Sequence, residues 1–357
     1  MRRSAIVVIL ITFFFARGAW AASPGGFLST LEDSPLAAKA VAKYLNIFTD
    51  TLRKPFSLWL ARSRKYTATM QHILSENNIP EDIVFLSMIE SGFSPYARSR
   101  ASAVGPWQFI YGTAKKYGLK INWWIDERRD PIKSTIAAAE YLKNLHAMFG
   151  SWGLAMAAYN AGEGAIQHAV KTAGADSFWG LYQTGRIKNE TKNYVPKFLA
   201  ASTIALHPKS HGFADINYRR RLSFDEAVIW QPLDLRVAAK CAGVDVDTIR
   251  ALNPELTRWC TPLDVKAYIL RIPKGTLMGF LDNLGRLSAE QRLPLRTYTA
   301  ERGDTLYRIA RRFGLPPTVL VELNNLKTRR ARICIRRGQK ILLPPLQYRS
   351  MCVVASR

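Results

Sequence analysis

The sequence predicts a mainly α-helical domain followed by two small α+β modules. Up to about residue 207, apolar residues recur at steps of three and four and strand-like alternation is scarce, which is typical of packed amphipathic helices. Beyond Lys209 a different pattern begins, in which key residues recur once at a distance of 71. A chain of 357 residues can form two or three domains, each with its own core.

Helix boundaries in the first part follow from residues that start and stop helices. Apolar spacing predicts a helix over 36–52. Asp130-Pro131 is a typical helix start, and Gly150 ends the apolar stripe that follows it. Further helices are predicted over 152–159, 165–173 and 192–206.

The repeat in the last part has no gap. A shift of 71 aligns Leu235 with Leu306, Ala239 with Ala310, Gly243 with Gly314, Leu252 with Leu323, Asn253 with Asn324 and Pro273 with Pro344. Each copy has the pattern of a strand, a helix stopped by Gly, a second helix and a closing strand, a βααβ unit. We assign the copies to 226–275 and 297–345, with a linker helix over 276–296 and a tail over 346–357.

The N-terminus has the pattern of a secretory signal. Two arginines precede an apolar run from Ala5 to Phe15, and Ala19-Trp20-Ala21 supplies the small residues of a cleavage site. The run has about half the length of a membrane-crossing helix, so a permanent span is the weaker alternative. We therefore expect 1–21 to be a signal peptide, 22–64 an N-terminal helical segment, and the product an exported protein of the periplasm or cell envelope. No Cys stands near the predicted cleavage site after the run, so no lipid attachment at a processed N-terminus is expected.

The chain is strongly basic. Lys and Arg number 51 against 27 Asp and Glu, and the excess is steepest from Arg296 to Arg357. Such a surface attracts polyanions. The expected export excludes nucleic acid as partner and favours anionic wall material, or peripheral contact with an anionic surface of the envelope. A solvated basic surface without a dedicated partner is the alternative.

The four cysteines favour disulfides rather than catalysis, because the expected compartment is oxidising. We predict that Cys241 pairs with Cys260 and Cys334 with Cys352. The spacing of Cys and His gives no metal-binding pattern, so neither a metal site nor a cofactor is expected. The sequence leaves the oligomeric state open.

The strongest chemical signal is Glu90. The segment 78–82 opens a helix with Pro and acidic residues, and Gly92 closes it. Ile83, Leu86 and Glu90 lie at steps of three and four, which places the carboxyl group on the apolar stripe near the helix C-terminus. Burial and the helix dipole both disfavour its charged form, so its pKa should rise, as a general acid near neutral pH requires. The alternative is a buried Glu held by a structural partner such as an Arg.

Four motifs in order resemble the lytic transglycosylases of the soluble, goose-lysozyme-like family. They are Glu90-Ser91-Gly92-Phe93 with Ser99, then Gly105-Pro106-Trp107-Gln108-Phe109-Ile110, then Ala158-Tyr159-Asn160-Ala161-Gly162, and then Glu190-Thr191-Lys192-Asn193-Tyr194-Val195-Pro196. The resemblance implies a lysozyme-like catalytic domain, assigned to 65–208, whose substrate is peptidoglycan. Pro106-Trp107 departs from the Leu-Met of many members; Trp107 either stacks on a sugar or belongs to the core.

The second copy resembles the LysM module, which implies binding of N-acetylglucosamine-containing polymers. Its motif runs from Tyr298 to Ala310; there Asp304 or Thr305 is expected to cap the first helix and Gly303 to form a turn. The first copy has Gln231-Pro232 instead of Arg302-Gly303, so a spacer role is at least as well supported there as sugar binding.

The resemblance also implies roles for single residues. Glu90 is expected to act as the acid and then the base in cleaving the MurNAc–GlcNAc bond without water, which leaves 1,6-anhydro ends. Ser99 and Gln108 are expected to contact acetamido groups, Tyr159 and Asn160 to line the cleft, and Tyr194 to orient Glu90 or the reacting sugar. Tyr194 as a packing aromatic and Asn160 as a helix cap are the alternatives. A lysozyme-like hydrolase and a non-catalytic wall-binding protein are the rival functions.

Overall fold

The computed structural model describes residue 28, residues 35–326 and residues 335–345. The predicted signal at 1–21, the tail at 346–357 and the predicted pair of Cys334 with Cys352 lie outside these residues. No helix in the described part of the chain has the length and apolar character needed to cross a membrane.

The first part of the chain is helical. Its α-helices are α1 (Pro35–Asn46), α2 (Arg53–Glu76), α3 (Phe85–Ser91), α4 (Tyr111–Lys116), α5 (Pro131–Phe149), α6 (Trp152–Ala161), α7 (Glu163–Ala173), α8 (Phe178–Gln183) and α9 (Asn189–Leu206). A π-helical turn at Ile47–Thr51 follows α1, so the helix predicted over 36–52 is interrupted in its last turn. Short 3-10 turns are found at Glu81–Val84, Glu127–Arg129 and Lys209–His211.

The predicted start and stop of α5 are confirmed. Asp130 Oδ1 accepts hydrogen bonds from the backbone N–H groups of Ile132 at 2.8 Å and Lys133 at 3.1 Å, which satisfies two donors that the helix itself leaves free. Gly150 ends the helix in the left-handed conformation. The three other predicted helices correspond to α6, α7 and α9, each within three residues at its ends.

Packing of α9 positions the residues that matter for function. This helix contacts α1, α3 and α6. Phe198 and Leu199 of α9 are fully buried in the same core as Leu86 and Met88 of α3. Burial of each such side chain contributes about 1.5–3 kcal/mol, so the contact between the two helices is firmly held.

Two modules follow, each with a two-stranded antiparallel sheet and two helices, as predicted. The first comprises β1 (Phe224–Ile229), α10 (Leu235–Ala242), α11 (Val246–Leu252) and β2 (Tyr268–Pro273). The second comprises β3 (Arg296–Thr299), α14 (Leu306–Phe313), α15 (Pro317–Asn324) and β4 (Lys340–Leu343), after the two helices α12 (Leu277–Gly285) and α13 (Ala289–Arg292).

The two modules match in hydrogen bonding as well as in sequence. In the first, the Asn253 side chain donates to the carbonyl of Arg271 at 2.7 Å and accepts from its N–H at 2.9 Å. In the second, Asn324 does the same with Leu342, at 3.0 and 2.6 Å. Each Asn therefore ties the end of the second helix to the closing strand, which explains why the Leu-Asn pair stands out in both copies.

The segment 276–296 is not the single linker helix that its charge suggested. It forms α12 and α13, and α12 packs against α10 with Phe280 fully buried in the module core. The apolar residues of α12 lie at helical spacing, so its buried face belongs to the first module.

Backbone hydrogen bonds join the first module to the helical domain. The N–H of Asp126 donates to the carbonyl of Glu255 at 2.9 Å, and the N–H of Thr257 donates to the carbonyl of Trp124 at 2.9 Å. The buried rings of Trp124 and Trp259 meet edge to face, with centroids 5.6 Å apart. The module is thus docked on the helical domain.

Buried charges cross the same junction. Asp130 Oδ2 lies 2.9 Å from Arg271 Nη2, and both side chains are almost fully buried. Glu255 Oε1 accepts a hydrogen bond from the Tyr268 hydroxyl at 2.6 Å. Burial, and then the negative charge of Asp130, raise the pKa of the Glu255 carboxyl group. The pairing matters because an isolated buried charge would strongly destabilise the fold.

The predicted disulfide between Cys241 and Cys260 is wrong. Both thiols are buried and free. Cys260 forms a backbone β-bridge with Asp234, the residue that caps the start of α10. Cys241 lies in the last turn of that helix. Seven residues of helix separate these positions by about 10 Å, so the two cysteines lie at opposite ends of the helix.

Candidate active site

The helix that carries Glu90 is held tightly at its C-terminal end. Gly92 follows α3 with φ +56, and a Cβ there would lie 2.1 Å from the Trp59 ring, so only glycine fits. Arg62 Nη1 donates to the carbonyl of Gly92 at 2.6 Å. Trp59 and Arg62, both from α2, therefore fix the turn next to Glu90, and sequence motifs alone gave no signal for either.

The loop after α3 is bound back to the same helix. The hydroxyls of Ser87 and Ser91 both donate to the carbonyl of Pro106, at 3.0 and 2.8 Å. Gly105 has φ +86, and a Cβ there would lie 1.8 Å from the carbonyl oxygen of Arg128. This close approach explains the glycine before Pro106 and places the motif that ends in Gln108 beside the motif of Glu90.

The Glu90 carboxyl group is paired with a phenol and not with an arginine. Tyr194 donates its hydroxyl proton to Glu90 Oε1 at 2.6 Å, and no ion pair in the described part of the chain involves Glu90. Burial raises the pKa of Glu90 to about 7, against the opposing effect of the Tyr194 hydrogen bond. Glu190 adds to the rise in pKa and Lys197 opposes it. Glu90 therefore exchanges its proton near neutral pH.

Tyr159 and Asn160 lie on the same side of the domain but make other bonds. The Tyr159 hydroxyl donates to the carbonyl of Trp107 at 2.7 Å. Burial, and then the charge of Glu90, raise the pKa of Tyr159 well above its usual value, so its phenol stays neutral. Asn160 Oδ1 accepts from the Thr191 hydroxyl at 3.0 Å, which links the end of α6 to the first turn of α9.

Gln108 and Ser99 shape the loop between the first two motifs. Gln108 Nε2 donates to the carbonyls of Gly105 at 2.8 Å and Ala97 at 3.3 Å. The Ser99 hydroxyl accepts from the N–H of Ala103 at 3.1 Å, and Ser99 is exposed. The structure thus brings Tyr194 directly to Glu90, while Ser99, Gln108 and Asn160 are bound to neighbouring loops and helices.

Trp107 belongs to the core. Its side chain is fully buried, and its Nε1 donates to the Thr135 hydroxyl at 2.8 Å. It therefore has no face available for a sugar ring.

The second module has the turn that its sequence predicts. Thr305 caps α14 through a hydrogen bond from the N–H of Arg308 at 3.2 Å, while Asp304 accepts from the Tyr298 hydroxyl at 2.7 Å. Of the two candidate caps, Thr305 is the one that caps the helix. A surface cavity of about 630 Å³ lies beside this turn, lined by Thr299, Ala300, Glu301, Arg302, Arg337 and Gly338.

Three protein families match the chain. Residues 69–181 match the family described as Transglycosylase SLT domain, residues 223–289 match Lytic transglycosylase MltD, LysM-like domain, and residues 298–344 match LysM domain. The chain therefore contains a transglycosylase SLT domain followed by two LysM-type modules. The predicted fold class, a mainly α lysozyme-like domain followed by two α+β modules, is confirmed.

Among curated proteins, the chain is similar to the membrane-bound lytic murein transglycosylase D of Escherichia coli (strain K12). The two are 33% identical over 293 residues, which cover 78% of this chain and 62% of the relative. The chain thus spans less than two thirds of the length of that relative. It is also 33% identical over 165 residues to a putative tributyltin chloride resistance protein of Alteromonas sp. (strain M-1), covering 42% of this chain and 80% of the relative.

Solved structures of lytic transglycosylases align with part of the chain. The E503Q mutant of Slt from Pseudomonas aeruginosa is 25% identical with a TM-score of 0.34, covering 43% of this chain and 25% of that one. The 70 kDa Slt70 from Escherichia coli is 19% identical with a TM-score of 0.36, covering 56% of this chain and 34% of that one.

Proposed function

We propose that this protein is a lytic transglycosylase that cleaves the β-1,4 bond between MurNAc and GlcNAc in peptidoglycan and leaves 1,6-anhydro-MurNAc ends. The observation that carries the proposal is the carboxyl group of Glu90, partly exposed, bonded to Tyr194 at 2.6 Å and with a pKa of about 7. The family domain and the name of the Escherichia coli relative support the same reaction class.

The first step needs an acid. Protonated Glu90 gives its proton to the glycosidic oxygen, the bond from that oxygen to C1 of MurNAc breaks, and GlcNAc leaves with a new hydroxyl. Ordinary glycosidases place a second carboxylate behind the sugar, at about 5–9.5 Å from the acid. Here the acetamido group of MurNAc is proposed to take that place, because Glu163, the carboxylate nearest to the third motif, is held by Tyr141 at 3.1 Å and by Lys116 at 3.6 Å.

The second step needs a base at the same atom. Glu90, now ionised, accepts the proton of the C6 hydroxyl of MurNAc. O6 bonds to C1 while the bond that the acetamido oxygen formed to C1 in the first step breaks, which closes the anhydro ring. The proton count balances, since Glu90 ends the cycle protonated and no water is consumed. A pKa of about 7 suits both halves, because neither protonation state is costly near neutral pH.

The neighbouring residues support Glu90 in different ways. Tyr194 fixes the orientation of the carboxyl group and leaves Oε2 for the sugar. Tyr159 keeps the second motif in place through Trp107. Gln108 keeps its Oε1 for a substrate N–H, because its Nε2 is bound to backbone carbonyls. Ser99 and Asn160 act through the loop and helix that they hold.

The domain assignment follows the same proposal. Residues 65–208 form the catalytic domain, and the module at 297–345 holds glycan strands through the turn at Gly303. The first module, at 226–275, serves as a docked spacer. The protein works in the periplasm or cell envelope after loss of residues 1–21.

Product analysis tests the reaction. Purified sacculi are digested with the full chain, and the muropeptides are identified by mass spectrometry. Anhydro-muramyl ends are expected. Reducing ends would identify a lysozyme-like hydrolase instead, and no soluble product from either wild type or Glu90→Gln would identify a non-catalytic wall-binding protein.

A further inference from the structure

A cluster of cations covers one side of helix α2 and the segment that crosses it. We name it the α2 basic face, and it consists of Arg62, Arg64, Lys65, Arg219, Arg220 and Arg221. The N–H of Arg219 donates to the carbonyl of Ala61 at 2.9 Å, and the N–H of Leu222 donates to that of Lys65 at 2.9 Å. The crossing segment is thus fastened along α2, and its three arginines join those of the helix.

No carboxylate in the described part of the chain forms an ion pair with these cations. Burial, and then the charge of Arg219, lower the pKa of both Arg62 and Lys65. The cations therefore repel one another, and an external anion would relieve that repulsion.

An apolar surface lies within the same face. Leu58 is 59% exposed and shares a helical stripe with Lys54, Ala61 and Lys65. A surface cavity of about 370 Å³ lies beside it, lined by Ser57, Leu58, Ala61, Asp215, Ile216, Asn217, Tyr218 and Arg219. Asp215 is the one carboxylate in that lining.

We propose that the α2 basic face binds the surface of a bilayer that contains anionic phospholipids. Clusters of four to eight Lys and Arg are typical of such binding, and an apolar residue among them enters the boundary between head groups and acyl chains. A polar anion, such as a carboxylate of a wall peptide, would leave Leu58 in water. Apart from Arg62, which supports the turn at Gly92, the face takes no part in the proposed reaction, and it holds the enzyme at a membrane surface.

The test compares vesicles that differ only in charge. The full chain is sedimented with phosphatidylcholine vesicles with and without phosphatidylglycerol, and the ratio of the two binding constants is measured. The N-terminal run and the two arginines before it are present in the wild type and in every variant, so their contribution is the same in all the ratios that are compared. The variant Arg64→Gln/Arg220→Gln/Arg221→Gln is expected to lower the ratio at least about tenfold, since each cation near the surface adds to the attraction. Arg62 is left in place because it supports the turn at Gly92.

A matched control removes the same charge elsewhere in the domain. Lys171→Gln/Arg186→Gln/Lys188→Gln changes three exposed cations outside the face and is expected to leave the ratio within about twofold of wild type. Leu58→Ser should weaken binding to anionic vesicles without changing the charge. An equal fall of the ratio in both triple variants would overturn the proposal. A wild-type ratio near one would also overturn it, and so would a variant that loses binding to sacculi while its vesicle ratio is unchanged. The variant Arg64→Gln/Arg220→Gln/Arg221→Gln should release muropeptides from sacculi at the wild-type rate, which would show that this variant is folded.

Discussion

Two carboxyl groups in this molecule have the same kind of hydrogen bond but differ in their exposure to solvent. Glu90 in the candidate active site and Glu255 at the junction with the first module each accept a hydrogen bond from a tyrosine at 2.6 Å. Burial raises the pKa of both. Glu90 is partly exposed, whereas Glu255 is 2% exposed and lies beside the ion pair of Asp130 and Arg271.

The difference teaches that a raised pKa alone does not identify a catalytic acid. Glu255 has no route by which a sugar could reach it, because Tyr268, Arg271 and the docked backbone enclose it. Glu90 has a hydrogen bond at Oε1 alone among the described residues, and the loop that contains Pro106 lies beside its helix. Exposure to solvent therefore separates the carboxyl group that we propose to be catalytic from the structural one.

The largest expected effect is on turnover. Glu90→Gln should lower the rate of muropeptide release by about 10²–10⁴ while leaving the unfolding midpoint close to wild type, because proton transfer is lost and the shape is kept. Glu255→Gln is the matched control and should retain turnover. Dye release from labelled sacculi measures both. A comparable loss of rate in the two variants would contradict the distinction between them.

The second effect is on stability at the junction. Asp130→Ser keeps a residue type that caps α5 but removes the charge that faces Arg271, so the free energy of unfolding should fall by about 3–5 kcal/mol. Guanidinium denaturation followed by circular dichroism measures the change. Asp215→Ser, which removes an exposed carboxylate outside the junction, should change stability by less than about 0.5 kcal/mol. A fall below about 1 kcal/mol in Asp130→Ser would show that the buried pair is dispensable.

A third effect concerns the pH profile of the reaction. The first step of the proposed mechanism requires protonated Glu90, so the rate should decline as pH rises through about 7. Tyr194→Phe removes a hydrogen bond that lowers the pKa of Glu90, so the alkaline limb of kcat/KM should move to higher pH. Tyr268→Phe removes the equivalent bond at Glu255 and should leave the limb in place. A limb that stays fixed in Tyr194→Phe would mean that another group controls it.

The smallest effect is on the pH dependence of stability. A carboxyl group whose pKa is higher in the folded state binds its proton more tightly there. Its contribution to stability is therefore present below the unfolded pKa and is lost as pH rises through the folded pKa. For Glu90 the window runs from about 4.5 to about 7. The free energy of unfolding should fall across this window, and less steeply in Glu90→Gln. Denaturation curves at four pH values across the window measure the slope, and an unchanged slope would contradict a raised pKa.

The sequence predicted what depends on neighbours along the chain. The apolar stripe that ends at Glu90 and the repeat of the two modules are local or periodic patterns, and the structure has both. Asp130 shows the limit. Its role as a helix cap was visible in the pair Asp130-Pro131, but its bond to Arg271 joins residues of different domains and has no local signature. Its two oxygens serve both roles at once.

The pairing of cysteines failed for a related reason. Compartment and count favoured a bond between Cys241 and Cys260, but neither gives the position of a residue within its helix or strand. The sequence of Trp107 and its neighbours fits both the core and the cleft, because an indole suits both; its bond to Thr135 assigns it to the core. The contact of Arg62 with Gly92 was missed because a single Arg on an amphipathic helix has no distinguishing pattern.

The matching asparagines of the two modules have a practical consequence for engineering. Because Asn253 and Asn324 fasten their closing strands with the same pair of bonds, a segment of one module has a defined counterpart in the other. Residues 299–305 could be transplanted onto 228–234 without an insertion or a deletion. The chimera would present the turn of the second module on the first module, which is hydrogen-bonded to the helical domain. The turn would then be held in a fixed position relative to that domain.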